Sequence, residues 1–127
     1  MPLTHLQPVA FIPTADKAAA RTFYEQTLGL TFVNDDGFAL VFSVGPHHLM
    51  LRIAHAPDFT PLPFTLFGWQ VTDIHATVAE LSAKGIEFLS FSFFQQDPHG
   101  VWTAPDGAQV AWFKDPDGNT LSVSYHP

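Results

Sequence analysis

An internal repeat constrains this chain more than any other feature of its sequence. The triplet TAD at 14–16 corresponds to VTD at 71–73, an offset of 57, and GLTF at 29–32 corresponds to GIEF at 85–88, an offset of 56. Two nearly equal offsets favour one duplicated unit over coincidence. The elements recur in the same order. Residues 9–12 are apolar and close at Pro13; TADKAAARTFYEQTLGL then reads as a helix entered at its N-cap, Asp16, and ended at Gly29. Ala19, Ala20, Phe23, Tyr24 and Leu28 lie close to one stripe that should pack on a sheet, while Lys17, Arg21 and Glu25 mark the wet side. Strands are expected at residues 30–33, 38–44 and 49–53, with NDDG and GPHH as the turns between them.

After the Pro-rich APDFTPLPF the pattern starts again. It predicts a strand at 65–71, a helix over IHATVAELSAKG, a strand beginning near Ile86 and running into FLSFSFF, and strands at 110–114 and 121–125. The extra stretch QQDPHGVWTAPDG reads as a loop over one face and a candidate lid, because Pro, Gly and polar residues dominate it. The expectation is an α+β fold of two βαβββ units, about 5–56 and about 64–126, in a single domain 1–127. A chain of this length can bury roughly two-thirds of the surface it exposes when unfolded. An apolar fraction of 46% with 13% charged residues is globular, and thirteen Phe and three Trp supply large side chains for a core or a pocket wall.

Charge and composition exclude several roles. Five Lys and Arg against twelve Asp and Glu give a net charge of −7, which opposes binding to nucleic acid or an anionic membrane. No apolar run approaches the ~18–20 residues that span a bilayer, and MPLTHLQP lacks the basic and apolar regions of a signal peptide, so a cytoplasmic location is expected. The absence of Cys removes disulfides, thiolate metal sites and a Cys nucleophile together.

Two motifs carry a family resemblance. DKAAARTFYEQTLGL at 16–30 resembles the first helix of the vicinal-oxygen-chelate superfamily (glyoxalase, bleomycin-resistance protein, extradiol dioxygenase), and FKDPDGNTLSV at 113–123 is similar to its turn before the last strand. Their order, wide separation and the repeat make the combination specific over nearly the whole chain. The resemblance implies two βαβββ units forming a curved mixed sheet around a cleft, and a homodimer. It also implies four metal-ligand positions on the first and last strands of each unit. Here those fall on Val9, Arg52, Leu66 and Ser122, none of which matches the His, Gln or Glu of metal-dependent members. Divalent ions need carboxylate oxygen or imidazole nitrogen, and a guanidinium repels them. No cofactor and no metal site are therefore expected.

Strand alternation sorts the remaining candidates. Val9 and Phe11, His48, Met50 and Arg52, Leu66, Gly68 and Gln70, and Thr120, Ser122 and Ser124 form one set; if the alignment holds, this set lines the cleft. Arg52 is the sharpest candidate, as an anchor for a ligand carboxylate or phosphate, against the simpler reading of an internal salt bridge. His48 is a candidate ligand contact, or a proton carrier in an enzyme, although His47 and His48 follow a Gly-Pro turn where exposed polar residues are common. Trp102 and the Phe-rich run FLSFSFF could form an aromatic wall and lid, against the simpler reading of core packing. Phe88, Phe91 and Phe93 do not share one alternating face, which implies a break somewhere in FLSFSFF. Asp115 and Asp117 read as part of a DPDG β-turn rather than a cation site.

The ligand-binding set is thus Phe11, His48, Met50, Arg52, Gln70, Trp102 and Ser122. It suits a metal-free protein that sequesters an aromatic or anionic small molecule. The alternative is a glyoxalase-like lyase or dioxygenase-like metalloenzyme, with a metal site rebuilt from His5, His48 and carboxylates of a partner subunit. A purely structural interaction domain is a third reading. No catalytic residue can be assigned from the sequence.

Overall fold

The structure, a computed structural model, describes residues 2–127. It divides into two compact units, the first ending at Thr60 and the second spanning Pro61–Pro127. Each is a βαβββ unit, so the fold is α+β. Among the described residues no helix is long and apolar enough to cross a membrane.

The first unit contains β1 (Val9–Thr14), α1 (Lys17–Arg21), β2 (Thr31–Asp35), β3 (Ala39–Val44) and β4 (Leu49–His55), with the sheet order β1-β4-β3-β2. β1 runs parallel to β4, and the other pairs are antiparallel. α1 packs against β4. Alternation along the strands decides what is buried: Ile12, Leu51 and Ile53 are fully enclosed, while Val9, Phe11 and Met50 on the other face are exposed. Enclosing each of those aliphatic side chains contributes about 1.5–3 kcal/mol. β1 and β2 are the edge strands, and the register of β2 with β3 slips between Phe32 and Asn34.

The helix expected over 16–29 forms over most of that range but changes character midway. Asp16 caps it, its carboxylate accepting the Ala19 N–H at 3.1 Å. From Thr22 to Thr27 the backbone widens into a π-helix, closed by Leu28 N–H donating to the Phe23 carbonyl at 2.9 Å. The wide turn accompanies the full burial of Tyr24, whose ring meets Phe23 edge-on at 5.2 Å and Phe42 at 6.1 Å. Lys17 and Arg21 lie on the wet side as expected, paired with Asp35 and Glu25.

The second unit repeats the topology. β5 (Thr65–Gln70), α2 (Ile74–Ala83), β6 (Trp102–Thr103), β7 (Gln109–Lys114) and β8 (Thr120–Tyr125) give the order β5-β8-β7-β6, with β5 parallel to β8. α2 is capped by Asp73 as α1 is by Asp16, its carboxylate accepting the Ala76 N–H at 3.1 Å. Such a cap contributes on the order of 1 kcal/mol. Ile74 and Val78 on α2 are buried, and the helix packs against β7 and β8.

Two expectations are corrected in this unit. FLSFSFF does not form a strand: apart from the isolated Phe88–Phe113 bridge, it runs as irregular chain, with a turn closed by Phe94 N–H on the Phe91 carbonyl. The cause lies in Gln96. Its side-chain amide donates to the carbonyls of Leu89 (2.9 Å) and Gly100 (2.8 Å) and accepts the Phe91 N–H (2.7 Å), satisfying backbone groups that a strand neighbour would otherwise hold. The edge position is taken by β6, which lies inside the stretch expected to be a lid. Trp102 is paired with Val110 across the β6–β7 ladder and is therefore fixed to the sheet.

Candidate functional site

The register of the second unit builds one of its faces row by row, with Thr120 and Ser122 buried within it. Thr65, Thr120 and Lys114 stand side by side across β5, β8 and β7; Gly68, Ser122 and Trp112 form the next row; Gln70, Ser124, Val110 and Trp102 form the third. Paired residues on neighbouring strands share a face, so one side of the sheet carries hydroxyls, one ammonium and two indoles. Gly68 is required in its row. A Cβ there would collide with the Ser122 hydroxyl and lie 2.8 Å from its carbonyl oxygen.

Above this face the segment held by Gln96 contributes a cluster of rings. Phe94 stacks on Trp112 with centroids 5.3 Å apart and planes 3° from parallel, and it also lies 4.7 Å from Trp102. Phe91 meets Trp112 edge-on at 5.3 Å. These are favoured aromatic geometries, worth about 0.5–1.5 kcal/mol each beyond the area they bury. The Trp112 indole N–H donates to the Thr65 hydroxyl at 2.9 Å, which fixes the ring's orientation. Asp97, next to Gln96, secures the following turn by accepting the N–H groups of His99 (2.8 Å) and Val101 (3.0 Å) and holding His75 at 2.7 Å. Partial desolvation pushes the Asp97 carboxyl up, but the His75 bond and the two amides outweigh it and set the carboxyl below its ordinary range.

The aromatic cluster borders an open pocket of about 500 Å³. Phe91, Phe93, Phe94 and Trp112 make one wall, residues 61–64 another, and Thr65, Thr120 and Lys114 the polar side. Such a volume is within the usual range for small-molecule sites.

Of the residues expected from the sequence, Phe11, Met50 and Arg52 are neighbours on the open face of the first unit, Phe11 opposite Arg52 and Val9 opposite Met50. His48 sits beside them in the turn before β4, at φ 55°, its Nδ1 3.1 Å from the Ser43 hydroxyl. Arg52 Nη2 donates to Asp36 at 2.7 Å, and its guanidinium stands 6.0 Å from the Phe11 ring. An anion reaching Arg52 would have to share the guanidinium with Asp36.

That guanidinium, aided by the N–H groups of Phe38 and Ala39, lowers the Asp36 carboxyl from 3.8 to about 2. The folded value lies below the unfolded one, so the stabilising contribution is complete above about pH 4 and is lost as pH falls through about 2. Asp36→Asn is expected to flatten this stretch of the acid-stability curve, which melting temperatures recorded across it for both proteins would check.

Gln70 and Trp102 lie in the third row of the second unit's face and Ser122 in the second, where it is buried; none of the three lines the pocket. The sequence points to Phe94 only as part of the run FLSFSFF, a possible aromatic wall, and gives Trp112 and Gln96 no separate role. Trp112 had a usable signal, since it alternates with the core residues Ala111 and Phe113 and pairs with Ser122. The two positions matched to metal ligands in the first unit carry an aliphatic group, Val9, and a paired cation, Arg52; those in the second carry Leu66 and the neutral hydroxyl of Ser122. Neither donor set suits a divalent ion.

Comparison with known proteins agrees with this architecture. A family model described as "Glyoxalase/Bleomycin resistance protein/Dioxygenase superfamily" matches residues 3–123. Among solved structures, TnmS3, an antibiotic binding protein from Streptomyces sp. CB03234, superposes with a TM-score of 0.75 at 22% identity, covering 100% of this chain and 99% of that one. A bleomycin-binding protein complexed with bleomycin gives 0.71 at 24% identity, with 95% and 98% covered. A glyoxalase family protein from Bacillus anthracis gives 0.70 at 20% identity, with 98% of each chain covered. No curated protein matches the chain by sequence.

Proposed function

Because the chain belongs to the glyoxalase/bleomycin resistance protein/dioxygenase superfamily, we propose that it is a metal-free binding protein that sequesters a small aromatic or anionic molecule. The observation that carries this reading is the pocket of the second unit, where a ring cluster centred on Trp112 and Phe94 borders a space large enough for a two-ring ligand. Flat aromatic walls favour planar ligands through stacking and apolar burial, and they require no reactive group. Relatives of the same fold that bind bleomycin or another antibiotic support binding as the class of activity. The ligand positions of metal-dependent members carry no donor set from which a Lewis-acid step could be derived. We read the protein further as a homodimer, as the family resemblance implies, and separately as cytoplasmic; sedimentation and cell fractionation test these two points.

The test is a panel of bicyclic aromatic compounds followed by tryptophan fluorescence and thermal shift. Saturable quenching, a raised melting temperature and recovery of the unchanged compound are the expected results; a ligand at 100 times its Kd raises stability by about 2.7 kcal/mol. Trp112→Ala is expected to weaken binding about tenfold, the loss of roughly one good stacking contact. If no compound in the panel shifts either signal, the binding reading fails. Recovery of a converted compound would replace it with an enzymatic one.

A further inference from the structure

The polar side of the pocket has a chemical preference of its own. Lys114 is the one charged side chain among the described residues lining it, in a chain whose net charge is −7. Three of the other four Lys and Arg are already engaged, Lys17 with Asp35, Arg21 with Glu25 and Arg52 with Asp36, and the fourth, Lys84 at the end of α2, does not line the pocket. Lys114 is in none of the ion pairs found among the described residues. Its acidic neighbour Asp115 is buried and turned into its own loop, accepting from the side-chain amide and backbone N–H of Asn119 and from the backbone N–H of Asp117.

Two hydroxyls stand in register with that ammonium. Thr120 is paired with Lys114 on one side and Thr65 on the other, and all three line the pocket. The Thr65 oxygen already accepts from the Trp112 indole, which leaves its proton to donate. The row therefore offers an ammonium and hydroxyl donors beside an aromatic wall. A carboxylate is acceptor-only and suits such a set; a neutral amide would meet the ammonium with half its polar atoms as donors.

We propose that this pocket selects aromatic carboxylates, with the ring system against Phe94, Phe91 and Trp112 and the carboxylate toward Lys114 and the Thr65–Thr120 row. The proposal rests on the binding reading above and adds the charge and polarity of the ligand to it. It assigns Lys114 a binding role at a strand end where an exposed lysine would otherwise serve only solubility.

Paired probes of one shape test it: 2-naphthoate and 2-naphthamide, titrated against the full chain by tryptophan fluorescence. The expected result is about fivefold tighter binding of the carboxylate, the scale of a solvent-accessible ion pair near 1 kcal/mol. Lys114→Met is expected to bring the two affinities together, and Lys114→Arg to preserve the preference. Far-ultraviolet circular dichroism and melting temperature report whether each variant folds as the parent does. Equal affinities for the two probes in the parent protein, or a preference that survives Lys114→Met, would overturn the assignment of Lys114 while leaving the aromatic pocket standing. Failure of both probes to bind would remove the pocket itself, and the binding reading with it.

Discussion

Replacing Gln96 with Leu is expected to weaken binding of an aromatic probe at least about tenfold while leaving most of the sheet intact. One side chain here satisfies three backbone groups, the carbonyls of Leu89 and Gly100 and the N–H of Phe91. Leu matches its bulk and none of its polarity. Each group left buried without a partner costs about 1–3 kcal/mol, so the segment gains by opening into water. Phe91 and Phe94 then leave Trp112, and the affinity falls in proportion to the fraction of molecules in which the wall is assembled. Hydrogen exchange separates this from general unfolding: amides of residues 88–100 should lose protection while those of the β8 ladders keep it. Uniform loss of protection, or unaltered binding, would show that Gln96 does not hold the wall.

The second large effect is expected at the turn between β7 and β8. Asp115→Ala should destabilise the protein by about 3–5 kcal/mol, seen as a fall in melting temperature on the order of 10–20 °C. Asp115 is 5% exposed and Asn119 is 2% exposed. The carboxylate accepts the N–H groups of Asp117 (3.0 Å) and Asn119 (2.9 Å) through one oxygen, and the Asn119 side-chain amide (2.9 Å) through the other. Ala removes three acceptor contacts and leaves donors enclosed. Asp115→Asn keeps one carbonyl oxygen for the backbone but turns a second amide nitrogen toward Asn119, so a loss between the two is expected. A melting temperature within a few degrees of the parent's for Asp115→Ala would show that water replaces the carboxylate at little cost. The same turn ends the strand that carries Lys114, so the affinity for 2-naphthoate should fall along with stability.

What the sequence revealed and what it concealed divide along physical lines. The repeat, the Asp16 cap, the DPDG turn and the alternation of β1 and β4 depend on residues close together in the chain or on a strict period, and the structure follows each of them. The FLSFSFF segment could not be resolved in the same way. Its high aromatic content favours a strand, and the only local sign against one is the failed alternation of Phe88, Phe91 and Phe93. The deciding contact comes from a glutamine side chain reaching up to seven residues back along irregular chain, and no periodicity encodes it. The partner of Arg52 was hidden for a related reason: Asp36 lies sixteen positions earlier in a turn, and only the β3–β4 register brings the two together.

Two of the four outer strands, β2 and β6, carry a further consequence. β2 slips register in its middle and ends in Asp35, followed directly by Asp36, while β6 is two residues long. A straight, apolar border would invite another polypeptide to extend the sheet, and fibrillar growth begins in that way. These borders are kinked and acidic in one case and barely present in the other, so they offer little continuous backbone for such growth. A chain that is 46% apolar is thereby guarded on these two flanks against self-templated aggregation.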